Sequence, residues 1–251
     1  MEACNGGFKQ KMNIKIKTGF AYITNTDYLD YTKVSILSLA LNINKENHID
    51  IYIITTEYIE QSEIEDLLNI VPINVKIHLL NNNIPWLGKN PFESICFYKF
   101  YIPELVREER VLYIDSDTIV LGDISHVEEI NMGQTPLGCA ANDNPRWPYS
   151  KYGTGTILFQ CDKYKSLKCK DKLIAEIPNV VLNADKYIIN KVLAESIFEL
   201  DKQYNMDPSW YISCQPKPRF AILHYWGSQK PWNCSLIGDE YWHYYENLLK
   251  K

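Results

Sequence analysis

The sequence predicts an α/β fold built on a mostly parallel central sheet, and three observations carry that expectation. Short, mostly apolar runs rich in Ile and Tyr recur at 18–24 (TGFAYIT) and 49–55 (IDIYIIT), as buried strands do. Segments with helical spacing lie between such runs, which is the order an open, doubly wound sheet requires. The 251 residues, 46% of them hydrophobic, suffice for a sizeable core, and no Gly/Ser/Pro-rich linker or internal repeat divides them. A single domain over 14–251 behind a flexible leader, 1–13, is the expected organisation.

The elements follow in order. Strand 18–24 leads into a helix over 31–41, where Val34, Leu37 and Leu41 share one face and Asp30 stands as N-cap. Strand 49–55 completes a βαβ unit. Ser62-Glu63-Ile64-Glu65 reads as a capping box opening a helix through Ile70, and 75–80 returns as a strand. A helix over 92–101 precedes the apolar run Val111-Leu112-Tyr113-Ile114. The second half is less regular, with strands at 137–141, 156–160 and 220–223 and helices at 184–194 and 239–249. Packing on the domain explains Tyr241, Trp242, Tyr244, Tyr245 and Leu248 of the last helix more simply than a membrane or partner anchor does.

Composition excludes several classes. A net charge of −5 argues against broad nucleic-acid binding, which needs a basic surface to displace counterions. The seven cysteines (Cys4, Cys96, Cys139, Cys161, Cys169, Cys214, Cys234) are odd in number and contain no C-x-x-C pair, so neither a zinc knuckle nor a disulfide framework is expected. No apolar run approaches the roughly 18 residues of a transmembrane span, and the first dozen residues lack a secretory signal's apolar stretch, so the expected location is cytoplasmic.

The chemistry begins where the run 111–114 ends in Asp115-Ser116-Asp117. In an extended segment residues i and i+2 share a face, so Asp115 and Asp117 converge, and their repulsion calls for a cation. A turn would also accept these residues, but apolar residues flank the pair on both sides. After the last strand comes His224-Tyr225-Trp226-Gly227-Ser228-Gln229-Lys230-Pro231-Trp232. A lone His at a strand end is most often structural. Here a glycine and a lysine follow, a set that suits a metal-bound diphosphate, with the imidazole as third ligand and Lys230 as charge partner. Two carboxylates and one imidazole suit Mn²⁺ or Mg²⁺ better than zinc.

With its strand-loop start at Tyr22-Ile23-Thr24-Asn25, an S-x-x-x-Y-K segment from Ser94 to Lys99, the V-L-Y-I-D-S-D-T core and the H-Y-W-G-S-Q-K-P-W ending, the chain resembles glycogenin and the bacterial lipooligosaccharide galactosyltransferases over residues 16–232. These are retaining glycosyltransferases of the GT-A fold. The resemblance implies that Asp115, Asp117 and His224 hold Mn²⁺ on the diphosphate of a UDP-sugar. It places Ser116, Gly227 and Lys230 at the phosphates, Lys99 near phosphate and donor sugar, and Thr24, Asn25 and Tyr28 near the uridine. Asp185 would lie at the reacting sugar carbon with Lys186 beside it, close enough to pair with it. An N-cap role explains an Asp at a helix start equally well.

The chain departs from the family where Thr154-Gly155-Thr156 replaces an Asn-Ala-Gly or Asn-Ser-Gly segment, and where Asp185-Lys186 replaces Asp-Gln. The Thr24-Asn25-Thr26-Asp27 order also differs from some members. Asn142, Asp143, Asn144, Arg146, Trp147, Tyr149 and Tyr152 form a polar, aromatic loop that could face a glycan or protein acceptor, although a surface loop needs no ligand. Two rivals remain. A sugar-nucleotide-binding module without transfer would explain the departures, and a haloacid-dehalogenase-type phosphatase would explain D-S-D-T but leave the His224 segment without a role. Self-glycosylation on one of the 18 Tyr, homodimerisation, the donor sugar and the acceptor stay open.

Overall fold

The computed structural model describes residues 16–44, 46, 48–81, 84, 87, 95–142, 149–180 and 184–251, so the predicted leader lies outside the described residues. Strands β1 (Thr18–Thr24), β2 (Ile49–Thr55), β3 (Val75–Asn81) and β4 (Arg110–Ile114) pair in parallel. β5 (Thr118–Leu121) leaves this sheet. It continues instead through β6 (Leu137–Ala141), β7 (Tyr152–Gln160) and β8 (Ile197–Leu200), with β4–β7 and β6–β7 antiparallel and β6–β8 parallel. The order is β3-β2-β1-β4-β7-β6-β8, mostly parallel as predicted. β5 and β9 (Ala221–His224) form a second, antiparallel pair.

The helices are α1 (Leu29–Asn42), α2 (Glu65–Ile70), α3 (Ile102–Leu105), α4 (Cys161–Ser166), α5 (Cys169–Glu176), α6 (Ala184–Val192), α7 (Pro208–Ser213) and α8 (Asp239–Leu249). Strand periodicity sorts the core into two layers. Phe20, Tyr22, Leu112 and Ile114 face α1 and α8, whereas Ala21, Ile23, Val111 and Tyr113 face the layer of Phe97, Phe100, Leu173, Ile188 and Ile189. Burying an aliphatic side chain of this kind contributes about 1.5–3 kcal/mol, and these strands are buried along nearly their whole length. Trp242 and Tyr245 of α8 are buried, and the Tyr245 hydroxyl accepts from Asn42 Nδ2 at 2.6 Å, so the last helix packs on the domain as predicted.

Some expectations are corrected. Asp30 is not an N-cap; it lies inside α1 and pairs with Lys33 at 2.8 Å, while Asn25 Oδ1 caps the preceding turn by accepting from the Tyr28 N–H at 3.0 Å. The capping box sits two residues earlier than predicted, with Glu63 Oε1 accepting from the Glu60 N–H at 2.9 Å. The helix expected over 92–101 is described only from 95, and Tyr98–Tyr101 is 3-10 helix. β7 begins four residues before the predicted start, at Tyr152. Among the described residues six cysteines are free thiols, and no helix is long and apolar enough to cross a membrane.

Candidate active site

β4 is buried to its last residue, and Asp115 follows where the parallel strands end. The Asp115 N–H donates to the Gly155 carbonyl at 2.8 Å, so β7 fixes the strand end. The Asp117 carbonyl accepts from the Tyr225 N–H at 3.0 Å, tying the second acid to the end of β9. Pairing of Thr118 with His224 across β5 and β9 brings the imidazole beside a residue more than a hundred positions earlier. One ligand atom from each of Asp115, Asp117 and His224 lies within 4.8 Å of the others. His224 Nε2 stands 3.2 Å from Asp117 Oδ1 and 3.7 Å from Asp115 Oδ2.

Lysines flank this cluster on both sides. Lys230 Nζ contacts Asp117 Oδ2 and donates to the Tyr225 carbonyl at 2.7 Å. Lys99, only 3% exposed, donates to Asp185 Oδ2 at 2.7 Å and to the Thr154 carbonyl at 3.2 Å, and reaches Asp115 Oδ1 at 3.4 Å. The Tyr113 hydroxyl donates to Asp115 Oδ1. Asp185 is therefore paired with Lys99 and not, as its neighbour suggested, with Lys186; it occupies the first turn of α6. Burial lowers the Lys186 ammonium below its ordinary value.

The electrostatics are uneven. Burial, joined by the charge of Asp117, pushes the Asp115 carboxyl above the usual range in spite of Lys99. Burial also opposes ionisation of Asp117, but His224 and Lys230 together hold its carboxyl well below that range. Against its own burial, the His224 imidazole is raised by Asp117. Lys99 is likewise held well above its ordinary value, Asp115 and Asp185 outweighing its desolvation.

The remaining predicted residues divide into two kinds. Ser116 points away from the acids and donates to the Ile23 carbonyl at 3.1 Å, with the Thr32 hydroxyl 2.8 Å away. Thr24 is fully buried and also meets Thr32, at 2.9 Å. Both side chains brace the strand ends, and neither faces open space. Tyr28 presents a partly exposed ring, edge-on to Tyr31 and Trp232, and Trp232 stacks on Tyr31 at 3.8 Å. Gly227 has φ +96° with open space where a Cβ would stand, so backbone conformation, not crowding, calls for glycine there. Of the predicted acceptor loop, Asp143, Asn144, Arg146 and Trp147 lie outside the described residues. Tyr149 is exposed beside Tyr187, but Tyr152 is a buried residue of β7 and presents no acceptor face.

Sequence reasoning missed Thr32, Tyr113 and Asn205, whose Oδ1 lies 2.7 Å from His224 Nδ1. Tyr113 is legible only as part of the apolar run before the acids, and Thr32 and Asn205 sit in no motif; the convergence of separate strands and turns reveals what they touch.

Residues 20–235 match glycosyl transferase family 8. The chain is 32% identical over 198 residues to glycosyltransferase GlyF of Streptococcus pneumoniae serotype 4, covering 69% of this chain and 50% of that protein. It is 30% identical over 178 residues to glycosyltransferase GlyE of the same organism, covering 63% and 43%. It thus spans half the length of these relatives or less. Among solved structures, GlyE superposes with a TM-score of 0.75 at 24% identity over 94% of this chain and 62% of that one. The galactosyltransferase LgtC, solved with donor and acceptor sugar analogues, gives 0.74 at 15% identity over 94% and 97%. These likenesses show the GT-A fold.

Proposed function

The chain belongs to glycosyl transferase family 8, and from that premise we propose that it transfers a hexose from a UDP-sugar to a hydroxyl of a glycan or protein acceptor, with metal dependence and retention of the anomeric configuration. The observation that carries this reading is the convergence of Asp115, Asp117 and His224 within 4.8 Å, with Lys230 on Asp117. The donor set fits a hard divalent cation: two carboxylate oxygens and one imidazole nitrogen, no thiolate, and an Asp115 carboxyl that burial, with Asp117 beside it, holds above its usual range. Mn²⁺ or Mg²⁺ held there would neutralise the diphosphate of the departing UDP.

The chain's own residues then divide the work. Lys230 stabilises charge that grows on the leaving UDP, an interaction strongest in the transition state. Tyr28 offers a ring face to the uridine, while Asn25 and the braces Thr24 and Ser116 fix the strand ends around it. Asp185, held by Lys99 at 2.7 Å, is a weakened nucleophile because a buried ammonium already stabilises its charge. Departure and attack on one face of the sugar therefore suit this site better than a glycosyl-Asp185 intermediate. Asp185 orients sugar hydroxyls, and Lys186 reads the sugar where the family has an amide.

A panel of UDP-sugars incubated with Mn²⁺ and followed by mass spectrometry and by NMR of the product's anomeric proton tests the reading. Transfer or slow donor hydrolysis with retention supports it. Full activity in EDTA, or inversion, would sink it, and donor binding without turnover would make the chain a binding module.

A further inference from the structure

His224 reaches the carboxylates through Nε2, and its other nitrogen meets the side-chain oxygen of Asn205 at 2.7 Å. An amide oxygen only accepts, so this contact requires a proton on Nδ1; Nε2, which faces Asp117 at 3.2 Å, is then the nitrogen that gives up its proton when a cation takes its place among the acids. The pair occupies space that a side chain would otherwise fill. A Cβ on Gly155 would stand 2.2 Å from His224 Cε1 and 2.3 Å from Nδ1, and a Cβ on Gly153 would stand 2.2 Å from Asn205 Nδ2. These glycines lie two residues apart in β7, so they open one continuous slot on one face of the strand.

Asn205 is held as firmly as the ring. It ends the 3-10 turn Lys202–Asn205, which the Asp201 side chain caps. The next residue is tied to β9 in both directions: the Met206 N–H donates to the Ile222 carbonyl at 2.8 Å and the His224 N–H donates to the Met206 carbonyl at 2.9 Å. The backbone that carries Asn205 is thereby clamped to the strand that carries His224, and the two side chains keep their relation.

We propose that Asn205 is a positioning residue, holding His224 in the Nδ1–H tautomer with Nε2 free for a divalent cation, and that Gly153 and Gly155 are small in order to seat the pair. The proposal rests on the metal-dependent reading of the site. It also gives the Thr154-Gly155-Thr156 segment a role of its own: glycine stands where the imidazole ring lies.

The test measures Mn²⁺ binding by electron paramagnetic resonance of the free ion, without any activity assay, on the wild type, His224→Ala, Asn205→Ala, Asn205→Asp and the double variant Asn205→Ala/His224→Ala. Loss of a ligand's orienting partner typically weakens metal binding about 10- to 100-fold, and Asn205→Ala is expected in that range. Asn205→Asp keeps an acceptor oxygen and restores most of the affinity. In the His224→Ala background Asn205→Ala adds nothing, because its effect runs through the ring. On Mg²⁺-loaded, ¹⁵N-labelled protein the His224 Nδ1–H resonance is present in the wild type and Asn205→Asp and lost in Asn205→Ala. Wild-type affinity in Asn205→Ala, or an equal additional loss in the double variant, overturns the positioning role while leaving the metal site intact. No Mn²⁺ binding by the wild type, or no effect of His224→Ala, overturns the metal assignment and this inference with it.

Discussion

The parallel strands carry charge at both ends, and the two ends are resolved differently. At the amino-terminal end, Asp50 accepts from Lys17 Nζ at 2.5 Å and lies 2.7 Å from His78 Nε2, while the His78 ring stacks on Tyr52. Desolvation works against the Asp50 carboxylate, but Lys17 and His78 outweigh it and hold its carboxyl below the usual range. At the carboxyl-terminal end three carboxylates, Asp115, Asp117 and Asp185, converge on two lysines, Lys99 and Lys230, and on the His224 imidazole. Asp115 stays above the usual range there. One end is neutralised from within the chain. The other keeps one carboxylate, Asp115, whose charge burial and its acidic neighbours disfavour in spite of Lys99 and His224, and a cation from outside would relieve it.

The contrast breaks first at Asp117. Asp117→Ala should lower metal-dependent transfer by about three orders of magnitude, since a ligand to the cation and the partner of Lys230 go together. Its counterpart Asp115→Asn should also abolish transfer yet raise the Tm of the metal-free protein at neutral pH. The sign follows from the raised carboxyl: the ionised form is disfavoured in the folded state, so the penalty is present above the unfolded value and disappears in the amide. Thermal unfolding in EDTA beside a transfer assay measures both, and a lower Tm in Asp115→Asn would remove the idea that the Asp115 charge is disfavoured.

Next in size is Lys230→Ala, expected to slow turnover roughly 10- to 100-fold with a smaller change in donor affinity, because its partner charge grows toward the transition state. Arginine should rescue only partly, its planar fork differing from an ammonium. An unchanged kcat would place this lysine outside the chemistry. Asp185→Asn should keep some activity where Asp185→Ala loses most, since the amide still meets sugar hydroxyls. Trapping of a glycosyl-Asp185 adduct would replace same-face attack with a covalent route.

The same contrast explains what the sequence revealed. β1, β2 and β4 were legible because strands buried on both faces read as short, mostly apolar runs, and Asp115 and Asp117 were legible because they follow directly on such a run. The start of β7 was not: Gly153, Thr154 and Gly155 lack a hydrophobic signature, since His224 and Asn205 fill the space that side chains would occupy. Nor were the partners. Lys99 pairs with Asp185 across 86 positions, and Asn205 meets His224 across 19, so neither contact leaves a local pattern. Even the capping role ahead of α1 falls to Asn25 and not to Asp30, because a 3-10 turn intervenes and moves the helix start.

The smallest expected effect belongs to the neutralised end and sharpens the comparison most directly. Asp50→Asn should leave transfer unchanged and destabilise the fold by about 1 kcal/mol at neutral pH, the modest figure reflecting the exposure of Lys17. Because the Asp50 carboxyl is held below its ordinary value, its contribution is fully present above that value and is lost as the pH falls through the lower, folded-state value. Urea unfolding of wild type and variant across a pH series should therefore show a stability gap that is constant near neutrality and closes in acid. Such a gap has the opposite sign to the Asp115→Asn change, on the same sheet and from the same substitution. If the two amide variants shift stability in the same direction, the two ends are not resolved differently, and the disfavoured Asp115 charge loses its support.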